Sequence, residues 1–431
     1  MRITRLALSL VLLAFVPAGS RGQPVPTAKP IGELIADLGS KDFAAREAAC
    51  AGLLMQGREA LPAVRQALKN PNPEVNRRVR QLVDKIELRL AMEPKRVTLK
   101  RGTWTLADAV AAIRKQTGYE LTIAKQVAPL AEREIALNDV PFWEAVEQLS
   151  KAWGHGIHAQ RFVDGIQFTD ERAHGPFVAT DGAFRLQLLK IHQDRDIDFA
   201  GRGANQGPGV RERKTTFTFE VLAEPRFIIL DIEPVQWVKA VDDRGDNLVP
   251  VVVEKKTPDE DEPLTVRKML RQDYQAAQHT VMRRVSDKAT TVTTLTGFVP
   301  ISVVIGKKKV VALENVLGSK GKEFKVGTDT LRVNRAELDN DTGFYLDIGI
   351  PTPRKGMGYG QWDQRIVVTD EKGKPMERGG GGSGNSGGEH HMSQHYRAPK
   401  PGDPQPKKLI VEEWKIVTRH VPFSFVKVPL P

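Results

Sequence analysis

The sequence has almost no sulfur chemistry. Cys50 is the one cysteine in 431 residues, so no intrachain disulfide forms and no Cys-x-x-Cys metal or redox pair exists. It lies in the helical run AREAACAGLLM (45–55), far from any histidine, and reads as a small core residue. Aromatic residues are sparse, at 6%. Beyond residue 20 no stretch approaches the roughly 20 apolar residues that cross a bilayer. The chain also lacks a P-loop, a nucleophile elbow, an H-E-x-x-H helix and a dinucleotide fingerprint. These gaps set an expectation of no catalytic residues, no cofactor and no metal site.

Charge is plentiful, at 27%, and hydrophobic content of 40% suffices for ordinary cores. That combination argues for a soluble chain of two to four domains. The formal charge is +11, and loss of Arg2 and Arg5 with a leader would leave +9. Nucleic acid is not the expected partner of an exported chain. An anionic envelope polymer or lipid headgroup is more accessible, and a solubilising surface is the plain explanation.

Residues 1–20 read as a signal peptide: Arg2 and Arg5, the apolar run LALSLVLLAFV (6–16), then Ala18-Gly19-Ser20. The expected location is therefore exported, periplasmic or extracellular, with no transmembrane segment after cleavage. A Pro-rich linker (21–30) leads into helices at 31–92. There Ile31, Leu34, Ile35 and Leu38 share one face, Asp42 is placed to cap a second helix that Gly57 ends, and Pro73 opens a fourth.

The central stretch, 95–172, is one unit written twice. Leu106, Ala109, Val110, Ile113 and Gly118 recur as Phe142, Ala145, Val146, Leu149 and Gly154, each 36 residues later. Each copy predicts strand, helix, strand. Thr105-x-x-Asp108 fits a capping box, Pro141 suits a first helical position, and Gly118 and Gly154 suit left-handed helix ends. Asp164-Gly165 predicts a closing hairpin. Both helices are expected on one small sheet.

Two resemblances follow from these residues. Leu106-x-x-Ala109-Val110-x-x-Ile113, Thr117-Gly118-Tyr119, Ile135-x-Leu137 and Gly165-Ile166-x-Phe168 make the central stretch similar to the short N-terminal domain of secretins and TonB receptors. That resemblance implies a small α+β periplasmic docking module with no catalytic residues. Asp42-x-x-x-Arg46, Gly57, Ala60-Leu61-Pro62 and the restart at Pro73 resemble about one and a half HEAT repeats. A free-standing solenoid needs three or more, so a helical cap is expected, and HEAT repeats imply protein docking.

From 178 onward short strands and Gly- or Pro-rich turns predict all-β structure, drawn as one sandwich at 178–312 and a second at 313–431, with one larger sheet assembly as the alternative. Val241-Asp242-x-x-Gly245 and Thr369-Asp370-x-x-Gly373 echo each other. Residues 371–408, dense in glycine and proline, predict a disordered insertion, and 201–214 and 254–263 predict shorter mobile loops.

The remaining clusters fit ordinary structural roles. His390, His391 and His395 form H-H-x-x-x-H, but a floppy loop lends a metal no orienting partners. Asp194, Asp196 and Asp198 have the spacing that opens a calcium loop, without its glycine at position 6 or its glutamate at position 12. They read as a solvated strand edge. His155 and His158 read as surface residues of a turn and strand. Trp143, Trp153, Trp237, Trp362 and Trp414 read as core residues. The favoured reading is a non-catalytic binding or scaffold protein of a bacterial envelope, acting on envelope proteins. A carbohydrate or anionic-polymer binder and a hydrolase are the alternatives. N-terminal sequencing of exported material should begin at Arg21; recovery of Met1 would reject the leader.

Overall fold

The computed structural model describes residues 29–127, 131–159, 165–172, 175–194, 197–198, 209–210, 214–249, 266–272, 275–282, 288–326, 329–339, 343–350, 362, 365–386, 389–397 and 405–431. The leader, most of the 21–30 linker, the 254–263 loop, most of 201–214, Asp164 and Asp196 lie outside them. The chain divides between Leu90 and Ala91 into two compact units.

The first unit is helical: α1 (Ile31–Asp37), α2 (Phe43–Gln56), α3 (Leu61–Gln66) with a 3₁₀ turn (Ala67–Lys69), and α4 (Pro73–Met92). Asp42 accepts from the amides of Ala44 and Ala45, and Gly57 ends α2 at φ 49°. Leu34, Leu38, Leu53, Val64, Val79 and Ile86 form the core. Cys50 is half-buried against it, with Arg78 Nη1 at 3.6 Å from its sulfur.

The second unit opens with β1 (Arg96–Trp104), α5 (Leu106–Thr117), β2 (Glu120–Ile123), β3 (Arg133–Pro141), α6 (Phe142–Trp153), β4 (His155–Ala159) and β5 (Gly165–Arg172). Thr105 caps α5 by accepting from the Asp108 amide, and Gly118 and Gly154 both end helices in the left-handed region. Pro141 stands one residue earlier than expected, as the N-cap of α6. The expected single sheet is two: β1 pairs β3, while β2-β5-β4 form a second sheet.

Beyond this module the chain is mostly strand. In order come β6 (Val178–Asp181), β7 (Phe184–Asp194), β8 (Ile197–Asp198), β9 (Gly209–Val210), β10 (Lys214–Ala223), β11 (Ile228–Ile232), β12 (Gln236–Asp242), β13 (Val266–Gln272), β14 (Gln275–Met282) and β15 (Thr291–Leu313). Then follow β16 (Glu323–Val326), β17 (Asp329–Asp339), β18 (Gly343–Ile350), β19 (Ile366–Asp370), β20 (Arg378–Ser386), β21 (Glu389–Tyr396) and β22 (Pro406–Pro429).

The second series repeats the first. One sheet runs β13-β14-β10-β7-β6 and the other β20-β21-β18-β17-β16. Both carry a register shift at the same place, with Leu189 the extra residue of β7 against β10 and Asn334 the extra residue of β17 against β18. The aspartate echo is one turn built twice. Asp242 Oδ1 accepts from the amides of Arg244 and Asp246, and Asp370 Oδ1 from those of Lys372 and Lys374. Gly245 (φ 86°) and Gly373 (φ 79°) then take the left-handed turn position that a Cβ would oppose.

β15 and β22, of 23 and 24 residues, pair antiparallel along their length with Val299 opposite Val421. Thr296 meets Ser424 (3.2 Å) and Ser302 meets Thr418 (3.4 Å) on either side of that pair, and the rings of Phe298 and His420 stack at 5.3 Å. The copies are thus related by a local two-fold axis at Val299 and Val421. Each lends a strand end to the other. Val421, Phe423, Phe425 and Val428 lie in the first core, and Ala312 and Leu313 pack on the second. A boundary at 312/313 therefore does not separate the cores, because 417–428 returns to the first.

The module at 95–172 is not separate either. Its residues share one continuous core with the first β copy. Glu224 joins them. Fully buried, it accepts from Lys95 N (2.8 Å), the Tyr119 hydroxyl (2.7 Å) and Arg226 Nε (3.0 Å). Arg226 also donates to the Glu93 carbonyl.

Burial raises the Glu224 carboxyl above the ordinary glutamate range, against the pull of its donors, and raises the Tyr119 hydroxyl too. Folding thus takes up a proton at Glu224. The stability tied to it is complete below the unfolded pKa of about 4.3 and is lost as pH rises through the higher folded value. Chemical denaturation across pH 4–8 should show that decline, and Glu224→Gln should flatten it. Glu224→Ala, which strands three donors, should cost on the order of 3–5 kcal/mol.

A bare sheet face as the candidate binding site

Strand alternation divides each β copy's five-stranded sheet into an inner and an outer face. In the first copy Leu186, Leu188, Phe217, Phe219 and Val221 enter the core. On the opposite face Arg185, Gln187, Thr218, Glu220 and Gln275 are polar and buried, while Lys190 and His192 farther along β7 are exposed. Arg185 Nε donates to Glu147 Oε1 of α6 at 2.6 Å, and Gln275 Nε2 donates to Glu220 Oε1 at 2.6 Å. Trp143 of α6 donates through Nε1 to the Ala183 carbonyl at 3.1 Å. The module thus covers the Arg185 end of this face. The cover is imperfect: Arg185 is fully buried, yet its Nη1 and Nη2 find no hydrogen-bond partner among the described residues.

In the second copy Leu331, Val333, Phe344, Leu346, Ile348, Met392 and Tyr396 enter the core. The outer face carries Arg332, Asn334, Arg335, Glu337, Tyr345, Asp347, His391, Ser393 and His395, every one half-buried or exposed. Asn334 Nδ2 donates to Asp347 Oδ1 (2.9 Å) and lies 3.0 Å from His391 Nδ1, while Arg332 Nε donates to Asn334 Oδ1 (3.2 Å). His391 Nδ1 is 3.4 Å from Asp347 Oδ1. Tyr345 and His395 meet edge to face at 4.5 Å, and Arg335 lies 4.6 Å over the Tyr345 ring. Opposite His395, Ser393 and His391 stand Gly380, Gly382 and Gly384 of β20. The face is a polar and aromatic strip beside a glycine floor.

Sequence reasoning missed this strip because it reads 371–408 as disordered. Where described, that segment is a turn, β20, β21 and the start of β22. Glycine gives little to a core, but its backbone pairs as well as any, and β21 anchors the hairpin through buried Met392, Gln394 and Tyr396. The period-two pattern of EHHMSQHY was the available signal.

The same alternation splits H-H-x-x-x-H. His391 and His395 face outward roughly 13 Å apart along the strand. His390 is buried on the inner side, where burial lowers its pKa. Among the described residues no three His, Cys, Asp or Glu side chains are grouped to hold a metal. Asp194 ends β7 and Asp198 ends β8. His155 is buried rather than superficial, its Nδ1 3.0 Å from the Thr169 carbonyl, and His158 is half-buried. Trp143, Trp153 and Trp362 are core residues. Trp237 packs on Phe219 and Phe423, and Trp414 lies beneath Arg365 and Lys307.

Among the described residues no helix is long and apolar enough to cross a membrane. The chain matches no protein-family model. It matches no curated protein. A solved structure, the crystal structure of the conserved domain protein from Bacillus anthracis, aligns with 59% of this chain and 90% of its own at 9% identity and a TM-score of 0.15, too slight a likeness to bear on fold or function.

Neighbouring residues on opposite faces should behave differently. His395→Ala should change unfolding free energy by no more than about 0.5 kcal/mol. Phe344→Ala, in the core, should cost about 3–5 kcal/mol. Urea denaturation of the two variants checks the assignment.

Proposed function

We propose that this chain is an exported, non-catalytic binding or scaffold protein of a bacterial envelope, periplasmic or extracellular, that works by docking other proteins. The observation that carries it is the contrast between two copies of one sheet. The Arg185 end of the first copy's outer face is occupied by α6 and its neighbours, with Arg185 held by Glu147. At the positions equivalent to buried Gln187 and Thr218 the second copy bears exposed Arg332 and half-buried Asp347 instead. A duplicated unit with one face partly filled and its twin bare has a surface to offer.

The chemistry of the bare face fits a protein partner. It mixes Arg332, Arg335, Glu337 and Asp347 with Tyr345 and two imidazoles, so neither sign of charge dominates, whereas a polyanion binder needs a basic stripe. On this reading the two β copies are sandwiches, 31–92 is a HEAT-like cap, and the module is a secretin-type docking domain. Both resemblances are to protein-binding folds.

The test is quantitative co-purification of the full chain from the envelope, wild type against Tyr345→Arg/His395→Glu. A partner recovered with wild type and lost with this pair supports the reading. A partner retained equally by both, or a chain recovered alone, counts against it.

A further inference from the structure

The bare face ends at a strand made almost without side chains. β20 reads RGGGGSGNS and is the edge of its sheet: among the described residues it has β21 on one side and no strand on the other. Unpaired edges invite pairing with foreign strands, and proteins block them with charge, proline or bulges. Two other edges of this chain carry cations. The part of β15 beyond its partner β11 carries Lys307, Lys308 and Lys309, all exposed. The strand equivalent to β20 in the first copy, β13, reads VRKMLRQ, with three cations. In the second copy that same edge is cleared to glycine.

The clearance has a cost. Glycine loses the most conformational freedom on entering a strand, roughly 0.5–1 kcal/mol per residue relative to alanine. β20 recovers hydrogen bonds from one side alone. A second strand along its open side would add the other row. The glycines also leave room for that strand's side chains. A Cβ at Gly380 or Gly384 would meet nothing within 4 Å, and at Gly382 it would meet only Ser393 Oγ, at 3.7 Å. Large side chains from an adjoining strand lie across such glycines.

We propose that β20 is a strand-accepting edge, and that its occupant is an extended segment of another protein with bulky, chiefly aromatic residues at alternate positions. Backbone pairing supplies the grip, and the alternate side chains cross Gly380, Gly382 and Gly384 toward His395, Ser393 and His391. This inference rests on the docking reading and names the partner's chemistry.

The probe is a synthetic nonapeptide alternating tyrosine and threonine, titrated into the full chain. Two further versions are N-methylated at alternate residues, one on each edge of the extended peptide. Saturable binding should survive methylation on one edge and fall at least tenfold on the other. Gly382→Lys/Gly384→Lys, which charges the edge, should weaken the parent peptide at least tenfold with near-UV circular dichroism unchanged. Equal tolerance of both methylation patterns, no saturable binding, or indifference to the two lysines overturns the proposal. So does a dimer of the chain that the lysine pair abolishes, since a second copy would then own the edge. If the envelope partner is lost with Tyr345→Arg/His395→Glu but the peptides fail, docking stands and strand addition falls. If neither responds, both fall.

Discussion

The antiparallel pairing of β15 with β22 constrains everything after residue 178. These strands carry the local two-fold axis at Val299 and Val421 and are long enough to serve both β copies at once. Phe423 packs on Phe219 and Trp237 of the first copy, and Phe425 on Phe177. At the other end Leu409 and Val411 sit in the second core, and Arg365 is stacked 3.9 Å over Trp362 nearby. Neither core is complete without a strand that also belongs to its twin.

On this frame the α/β module is held by polar contacts set in an apolar interface. Glu224 gathers donors from Lys95 just before β1, from β2's neighbour Tyr119 and from Arg226, while Arg185 and Trp143 bridge the module to the first β copy. Buried polar groups of this kind add little net stability, but each is expensive to leave unmet, so they select one seating of the module over others. The Tyr119–Phe142–Trp143 edge-to-face series backs that seating with packed aromatic surface.

Local features were legible from the chain alone. The caps at Asp42 and Thr105, the left-handed ends at Gly118 and Gly154, and the apolar helix faces all follow from neighbours within a turn. The aspartate turns were visible as an echo because Asp242 and Asp370 each bond residues within four positions. Long-range pairing was not legible. Local spacing around Thr296 does not announce Ser424, 128 residues away. One signal does bear on it: Thr296-x-x-Val299-Pro300-x-Ser302 recurs as Thr418-x-x-Val421-Pro422-x-Ser424, which marks the duplication and the strand pair together. The bare face escapes a reading by composition because glycine density implies disorder, although β21 supplies the buried half of the hairpin.

The exchange of strand ends also sets an order of events. Residues 421–428 complete the first core, so that core cannot close while the chain is still being made from its N-terminus. Domains ordinarily fold as they emerge, each on its own. Here the first β core must wait for residues 421–428, which emerge only after the whole stretch that builds the second core from Val316 onward, so the folding of one copy is tied to the synthesis of the other.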